Sequence, residues 1–344
     1  MLAALIITAG FFLGQTPPTA PPEQPATGPG GLEYVHTSVT KTYYELPFEG
    51  ATDDEPQKGA LASFWIFEPA QPPLDKAPVV AFFHGFGAGD PAKYGAWIDH
   101  LVRRGKIVVY PLYQSGPGFL PDPASFTEVA LATFARSLEV LTTGAHASPD
   151  LERIAFCGHS IGGLVAVEVA ALAPKAKIPS PRALMAIEPG SAVSEPFGDF
   201  PEGDLSTIPA GTLLLTLSGD ADSIAGDIDA RRIYRATTSI PKADKDVCVL
   251  HSDNHGHPAL SAHHLTPLAV DSRYKARSEY GPSGSRLETD ALDFYGPWKL
   301  FDALCDTAFE GIHREYALGN TPEQRYMGIW SDGQAVIEMD VLDL

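Results

Sequence analysis

Eight stretches of this chain are short, apolar and β-prone, and several are separated by amphipathic stretches of helical length. The first two, Tyr34–Leu46 and Ala60–Glu68, alternate in part between apolar and polar residues and read as an antiparallel pair. The next six are Pro78–His84, Lys106–Tyr113, Arg153–Gly158, Ala183–Glu188, Thr212–Ser218 and Asp246–His251, continuous runs rich in Val, Ile, Leu and Phe. Strands read this way when both faces of their sheet are covered, which is the rule for parallel sheets. Helical patterns at Ala92–Arg104, Ser125–Thr142, Gly162–Leu172 and Ala225–Arg235 lie between them. The alternation predicts an α/β protein with a mostly parallel, doubly wound sheet of about eight strands and helices on both faces. Ala291–Ala308 predicts a final amphipathic helix, and Asp332-Gly333 between apolar runs predicts a hairpin over residues 326–339.

The 344 residues suit one large domain, assigned here to residues 32–344. Leu2–Leu13 is apolar and too short to span a bilayer, so residues 1–15 are expected to be a signal peptide, although no Lys or Arg precedes the apolar run. The expectation is a secreted or periplasmic protein, a monomer with no stable membrane insertion once the signal is removed. Residues 16–31, rich in Pro, Gly and Thr, are expected to be a mobile linker. A net charge of −19, with no Lys/Arg run, argues against nucleic acid as a partner. Three cysteines, Cys157, Cys248 and Cys305, read as buried thiols, with a Cys248–Cys305 pair the alternative in an exported protein.

The chemistry concentrates at Gly158-His159-Ser160-Ile161-Gly162, where an apolar strand runs straight into a helix. This is G-x-S-x-G in the context it requires: a strained turn that lifts the serine hydroxyl above the sheet and aims a helix N-terminus at it. A serine needs a base, an acid to orient that base, and donors for the developing oxyanion. These are expected at later strand ends in the order Ser, acid, His. After the strand ending at Gly219 come Asp220 and Asp222; Asp222 sits where the loop turns back and is preferred, with Asp220 in reserve. A calcium loop fails because Ile224 and Ala225 stand where a ligand and a glycine are needed.

Five histidines follow the last strand: His251, His255, His257, His263 and His264. His255, after a short polar turn and before Gly256, is the expected base, with His257 second. His263 and His264 read as exposed loop residues. No zinc spacing such as H-E-x-x-H is present, and neither a metal nor a cofactor is expected. His84-Gly85-Phe86-Gly87 ends a strand and resembles the HGGG-type loop, so the N–H groups of Phe86 and Ile161 are the expected oxyanion donors. The Phe86 side chain is also expected to wall the acyl site.

At these residues the region from about Pro78 to Ala259 resembles the dienelactone-hydrolase and chlorophyllase-like branch of the α/β-hydrolase superfamily, and is similar to bacterial cutinases and polyester hydrolases. The resemblance rests on the elbow, on Gly219-Asp220-Ala221-Asp222-Ser223-Ile224-Ala225, which matches an acid loop of the form G-x-x-D-x-I-A, and on the aromatic Phe86 after glycine. It implies the α/β-hydrolase fold and a serine carboxylesterase that acts on a small-molecule or polymeric ester through an acyl-enzyme, with Ser160, His255 and Asp222 as triad. The family's strand order implies that Glu188 lies at the mouth and contacts substrate. Where polyester hydrolases carry a Trp clamp, this chain has Ala186-Ile187-Glu188-Pro189. A polyester, cutin or lipase-like activity on the same triad is the alternative; a noncatalytic binding protein is disfavoured because every chemical part is present.

Overall fold

The computed structural model describes residues 18–47, 61–114, 123–190, 200–274 and 289–344. The expected signal segment lies outside them, as does most of the loops at 114–125 and 190–207 that would shape a substrate site.

Among the described residues nine strands form one sheet: β1 (Ser38–Pro47), β2 (Leu61–Gln71), β3 (Lys76–Phe83), β4 (Ile107–Leu112), β5 (Ser148–His159), β6 (Ala183–Ile187), β7 (Leu213–Gly219), β8 (Lys245–Leu250) and β9 (Asp340–Val341). Their order is β1-β2-β4-β3-β5-β6-β7-β8-β9. The strands from β4 to β8 run parallel, and β1, β2 and β9 are attached antiparallel. Helices α1 (Gly95–Arg103), α2 (Phe126–Thr143), α3 (Ile161–Ala176), α4 (Ile228–Ala236) and α5 (Lys299–Glu310) cover it.

The continuous apolar runs are explained by period-two alternation between two cores. In β3, Val80 and Phe82 pack with Trp97 of α1 and Phe301 of α5 on one face. Val79, Ala81 and Phe83 pack with Phe134 of α2 and Val165 of α3 on the other. Helix α3 has twelve of its sixteen residues buried. It therefore lacks the polar stripe of a surface helix. The reversal of strand order around β3 places the C-terminal ends of β3 and β5 side by side, with Phe83 paired to Gly158. In open α/β sheets this is where ligands bind.

Two expectations change, and the reading of the cysteines as thiols is met. Residues 18–31 are not a free linker: His257 N donates to Thr19 O, Ser331 N to Ala20 O and Gly30 N to the buried Asp302 carboxylate, and Pro22 and Pro29 are buried. The hairpin over residues 326–339 shrinks to a tight turn with one bridge, Ile329 to Ala335. Asp253 anchors this turn, its carboxylate accepting the Trp330 indole N–H and the Ile337 N–H. Cys157, Cys248 and Cys305 are all buried free thiols.

Candidate active site

Ser160 is the hinge between β5 and α3. Its backbone has φ 57° and ψ −127°, a conformation that costs a non-glycine residue energy and persists only where the surroundings impose it. They do so here through close packing. A Cβ at Gly158 would overlap the Gly162 carbonyl, and one at Gly162 would overlap the Phe83 and His84 carbonyls. Those glycines let the turn fold back on itself and let the loop after β3 lie against it. Ser160 N donates to Ile187 O at 2.9 Å, and Gly163 N donates to Ser160 O at 2.8 Å, which fixes the turn from both sides.

Ser160 Oγ lies 2.9 Å from His264 Nε2, and His264 Nδ1 lies 2.9 Å from Asp222 Oδ2. Asp222 Oδ1 accepts from Ile224 N at 2.8 Å and Ala225 N at 2.9 Å. With one oxygen occupied by amides, the other must accept from His264, so Nδ1 carries the proton and Nε2 accepts from the serine hydroxyl. Burial acts to raise the Asp222 carboxyl, but the hydrogen bonds from His264 and the two amides outweigh it and hold the group below its ordinary range. All three side chains are buried.

The structure thus brings two of the three expected triad residues, Ser160 and Asp222, onto one line, and the third position is held by His264 rather than His255. His255 Nε2 pairs instead with Asp332 Oδ2 at 2.8 Å, beside the Trp330 ring. The cause is a reversal just after β8. Asp253 and Leu260 pair antiparallel, and Asp253 Oδ1 accepts the His255 N–H, so the chain at His255 turns away from the sheet end. It returns at Ala262, whose carbonyl accepts from Ala221 N and whose N–H reaches Ser252 Oγ. That return delivers His264 to Asp222. The order Ser, acid, His is satisfied by all five histidines, and His264 carries no sequence mark of its own. His257 is exposed and anchored by its backbone to Thr19. Asp220 ties the exits of β7 and β8 together through Ser252 N and Oγ.

Phe86 follows Gly85 in the loop that packs on the elbow, half-buried against the core. Ile161 opens α3, where the amides of a first turn have no partner within their own helix. Around them runs a buried chain of hydrogen bonds. Gly85 N donates to Tyr94 Oη at 3.0 Å, Tyr94 Oη lies 2.8 Å from His159 Nδ1, and His159 Nε2 lies 2.7 Å from the His264 carbonyl. The carbonyl can only accept, so His159 is protonated at Nε2 and accepts from Tyr94 at Nδ1. Burial pushes His159 down to about 4, against the opposing pull of the His264 carbonyl and of Asp222, so the ring is neutral.

Glu188 is not at the mouth. It follows β6 with φ 46°, is 1 % exposed, and neither carboxylate oxygen has a hydrogen-bond partner among the described residues. Its side chain stands beside His159 and His264.

The family model described as Chlorophyllase matches residues 49–202, a span that includes the loop after β3, the Ser160 elbow and Glu188 and ends before Asp222 and His264. A search of curated proteins finds no match. The family match suggests a serine-type ester hydrolase. The mostly parallel sheet and its order are those of an α/β-hydrolase fold, and the match over residues 49–202 makes that part of the chain similar to the chlorophyllase family and supports the chlorophyllase and dienelactone-hydrolase-like branch.

Proposed function

We propose that the chain is a carboxylic-ester hydrolase in which Ser160, His264 and Asp222 form the triad. The observation that carries this reading is the continuous line from Ser160 Oγ through both His264 nitrogens to Asp222, with 2.9 Å at each junction. As Ser160 Oγ attacks the ester carbonyl, His264 Nε2 takes the hydroxyl proton. Asp222 holds the imidazole in the tautomer that can do so and stabilises the imidazolium. The amides of Phe86 and Ile161 are assigned to the oxyanion, where two fixed donors stabilise the charge as it appears. His264 then returns the proton to the leaving alcohol, and a water deprotonated by the same ring cleaves the acyl-enzyme.

The Phe86 side chain supplies an apolar wall beside the acyl group, which favours small to medium neutral acyl esters. The test is a fluorophosphonate probe followed by peptide mapping, together with initial rates on p-nitrophenyl esters of increasing chain length. Label on Ser160 and turnover of the short esters are expected. Absence of label from a folded protein rules the reading out. A terephthalate polyester film assayed beside them is expected to release product slowly, since Ala186–Pro189 holds no aromatic clamp.

A further inference from the structure

Glu188 is a carboxyl beside the His264 ring that this mechanism leaves idle. Its backbone is built into the elbow: Glu188 N donates to Leu217 O at 2.6 Å, Ile187 O accepts from Ser160 N, and Gly190 N donates to Ser160 O at 3.4 Å. Glu188 Oε2 lies 3.5 Å from His159 Nε2, and one ligand atom each of Glu188, His159 and His264 fall within 4.8 Å of one another. Both nitrogens of each ring are already engaged, in the triad and in the chain through Tyr94, so the trio offers a cation no free pair of nitrogens. What remains without a partner is the Glu188 carboxyl, sealed from water. An unpaired buried carboxylate is unfavourable enough that the group stays protonated.

We propose that Glu188 is a second acid for His264, a positioning residue that Asp222 holds in reserve and that takes over support of the imidazolium when the Asp222 charge is removed. This rests on the triad reading above. The restraint is electrostatic. Burial pushes Glu188 well above the usual carboxylate range; a charged His264 opposes that, and the Asp222 charge adds to it. Two carboxylates about one imidazole cannot both ionise cheaply, so neutralising one releases the other. The groups that face Glu188 are His159 at the end of β5, Tyr94 before α1, Asp222 after β7, His264 in the loop after β8 and Asp293 ahead of α5. His159 is held neutral and Tyr94 and Asp293 are held protonated by burial, so Asp222 and His264 supply the charges that Glu188 senses.

The experiment is a double-mutant cycle with Asp222→Asn and Glu188→Gln, read on a short-chain p-nitrophenyl ester across pH, with Ser160→Ala alongside. Glu188→Gln replaces one neutral group by another of the same shape and should alter kcat by less than about 5-fold, with KM unchanged. Asp222→Asn should lose about 10²-fold in kcat rather than the ~10⁴-fold seen when a histidine has no other acid. Adding Glu188→Gln to it should remove roughly another 10²-fold, so the two effects multiply to more than their separate values. The acid limb of Asp222→Asn should also lie at higher pH than that of the double variant, because the Glu188 carboxylate raises the pH at which His264 releases its proton. If Glu188→Gln folds poorly, Glu188→Met provides the same comparison. Additive losses with unchanged acid limbs overturn the role of Glu188 and leave the triad intact. Undiminished turnover in Ser160→Ala overturns the triad and Glu188's role together.

Discussion

His159 Nε2 lies 2.7 Å from the backbone carbonyl oxygen of His264, so the residue before Ser160 holds the loop that carries His264. Through Tyr94 the same ring is tied to Gly85, the start of the loop after β3. The two halves of the site are therefore positioned against each other by side chains that touch no substrate. Tyr94→Phe removes the hydroxyl from the middle of this chain and strands the Gly85 N–H and His159 Nδ1 in the core. A stability loss of about 1–3 kcal/mol is expected. A kcat loss of about 10-fold, with KM for a short ester unchanged, is expected from the misplaced donors. Steady-state kinetics and urea unfolding measure both; a variant that loses stability and keeps full kcat shows the chain to be structural only.

His264→Ala should reduce ester turnover on the order of 10⁴–10⁶-fold, as removal of a triad base does. His255→Ala should leave kcat within about 3-fold, because what it removes is one partly exposed ion pair with Asp332 and an edge contact on Trp330. Rates of the purified variants on p-nitrophenyl butyrate decide between the two histidines. Loss of turnover in His255→Ala with a native melting temperature would restore the base to His255.

The strand runs and the elbow were legible because each rests on local chemistry. Continuous hydrophobicity marks a strand covered on both faces, and Gly158 is demanded by the overlap its Cβ would make with the Gly162 carbonyl four residues on. Asp222 was legible for a similar reason, since its Oδ1 caps the amides of Ile224 and Ala225 only two and three residues on. His264 was not. Its placement depends on a reversal pinned by Asp253 to Trp330, 77 residues away, and on the Ala262 return to Ala221. Glu188 was misplaced for a related reason: a charged residue after a strand reads as exposed, and only the tertiary packing around its φ 46° turn buries it.

Acid should weaken the fold through two histidines at the site. Burial pushes His84 and His159 each down to about 4 from an ordinary 6.5. A depressed histidine means that the native state binds fewer protons than the unfolded chain across that window. Stability is therefore whole above pH 6.5 and is lost as pH falls toward 4, by on the order of 3 kcal/mol per histidine. Urea midpoints at pH 7 and pH 4.5 measure it. His84→Phe, which keeps the stack on Tyr113, should reduce the difference between pH 7 and pH 4.5 by the share of His84 alone, about 2 kcal/mol. An unchanged slope in that variant means that His84 is protonated in the native state.

The segment at residues 18–31 supports the histidine loop from behind. Pro21 and Pro22 line a cavity of about 350 Å³ together with Ser261, His263 and Leu265, the neighbours of His264. Thr19 and Ala20 clamp His257 and the Ser331 turn, and Gly30 N reaches the buried Asp302 carboxylate. A chain begun at Leu32 loses these bonds, uncovers Pro22's contact with Gly328 and leaves Asp302 short of a donor. Compared with a chain begun at Pro18, it should be less stable by about 2–4 kcal/mol, the sum of a few buried hydrogen bonds and proline contacts. Its kcat should fall by about 3- to 10-fold at temperatures where both chains are folded, because the loop that sets the His264 to Ser160 distance has lost its backing. Melting curves and ester rates on the two chains separate the effects. Equal stability would show that residues 18–31 lie on the domain without holding it. Lower stability with unchanged kcat would show that the histidine loop is positioned by the His159 and Ala262 bonds alone.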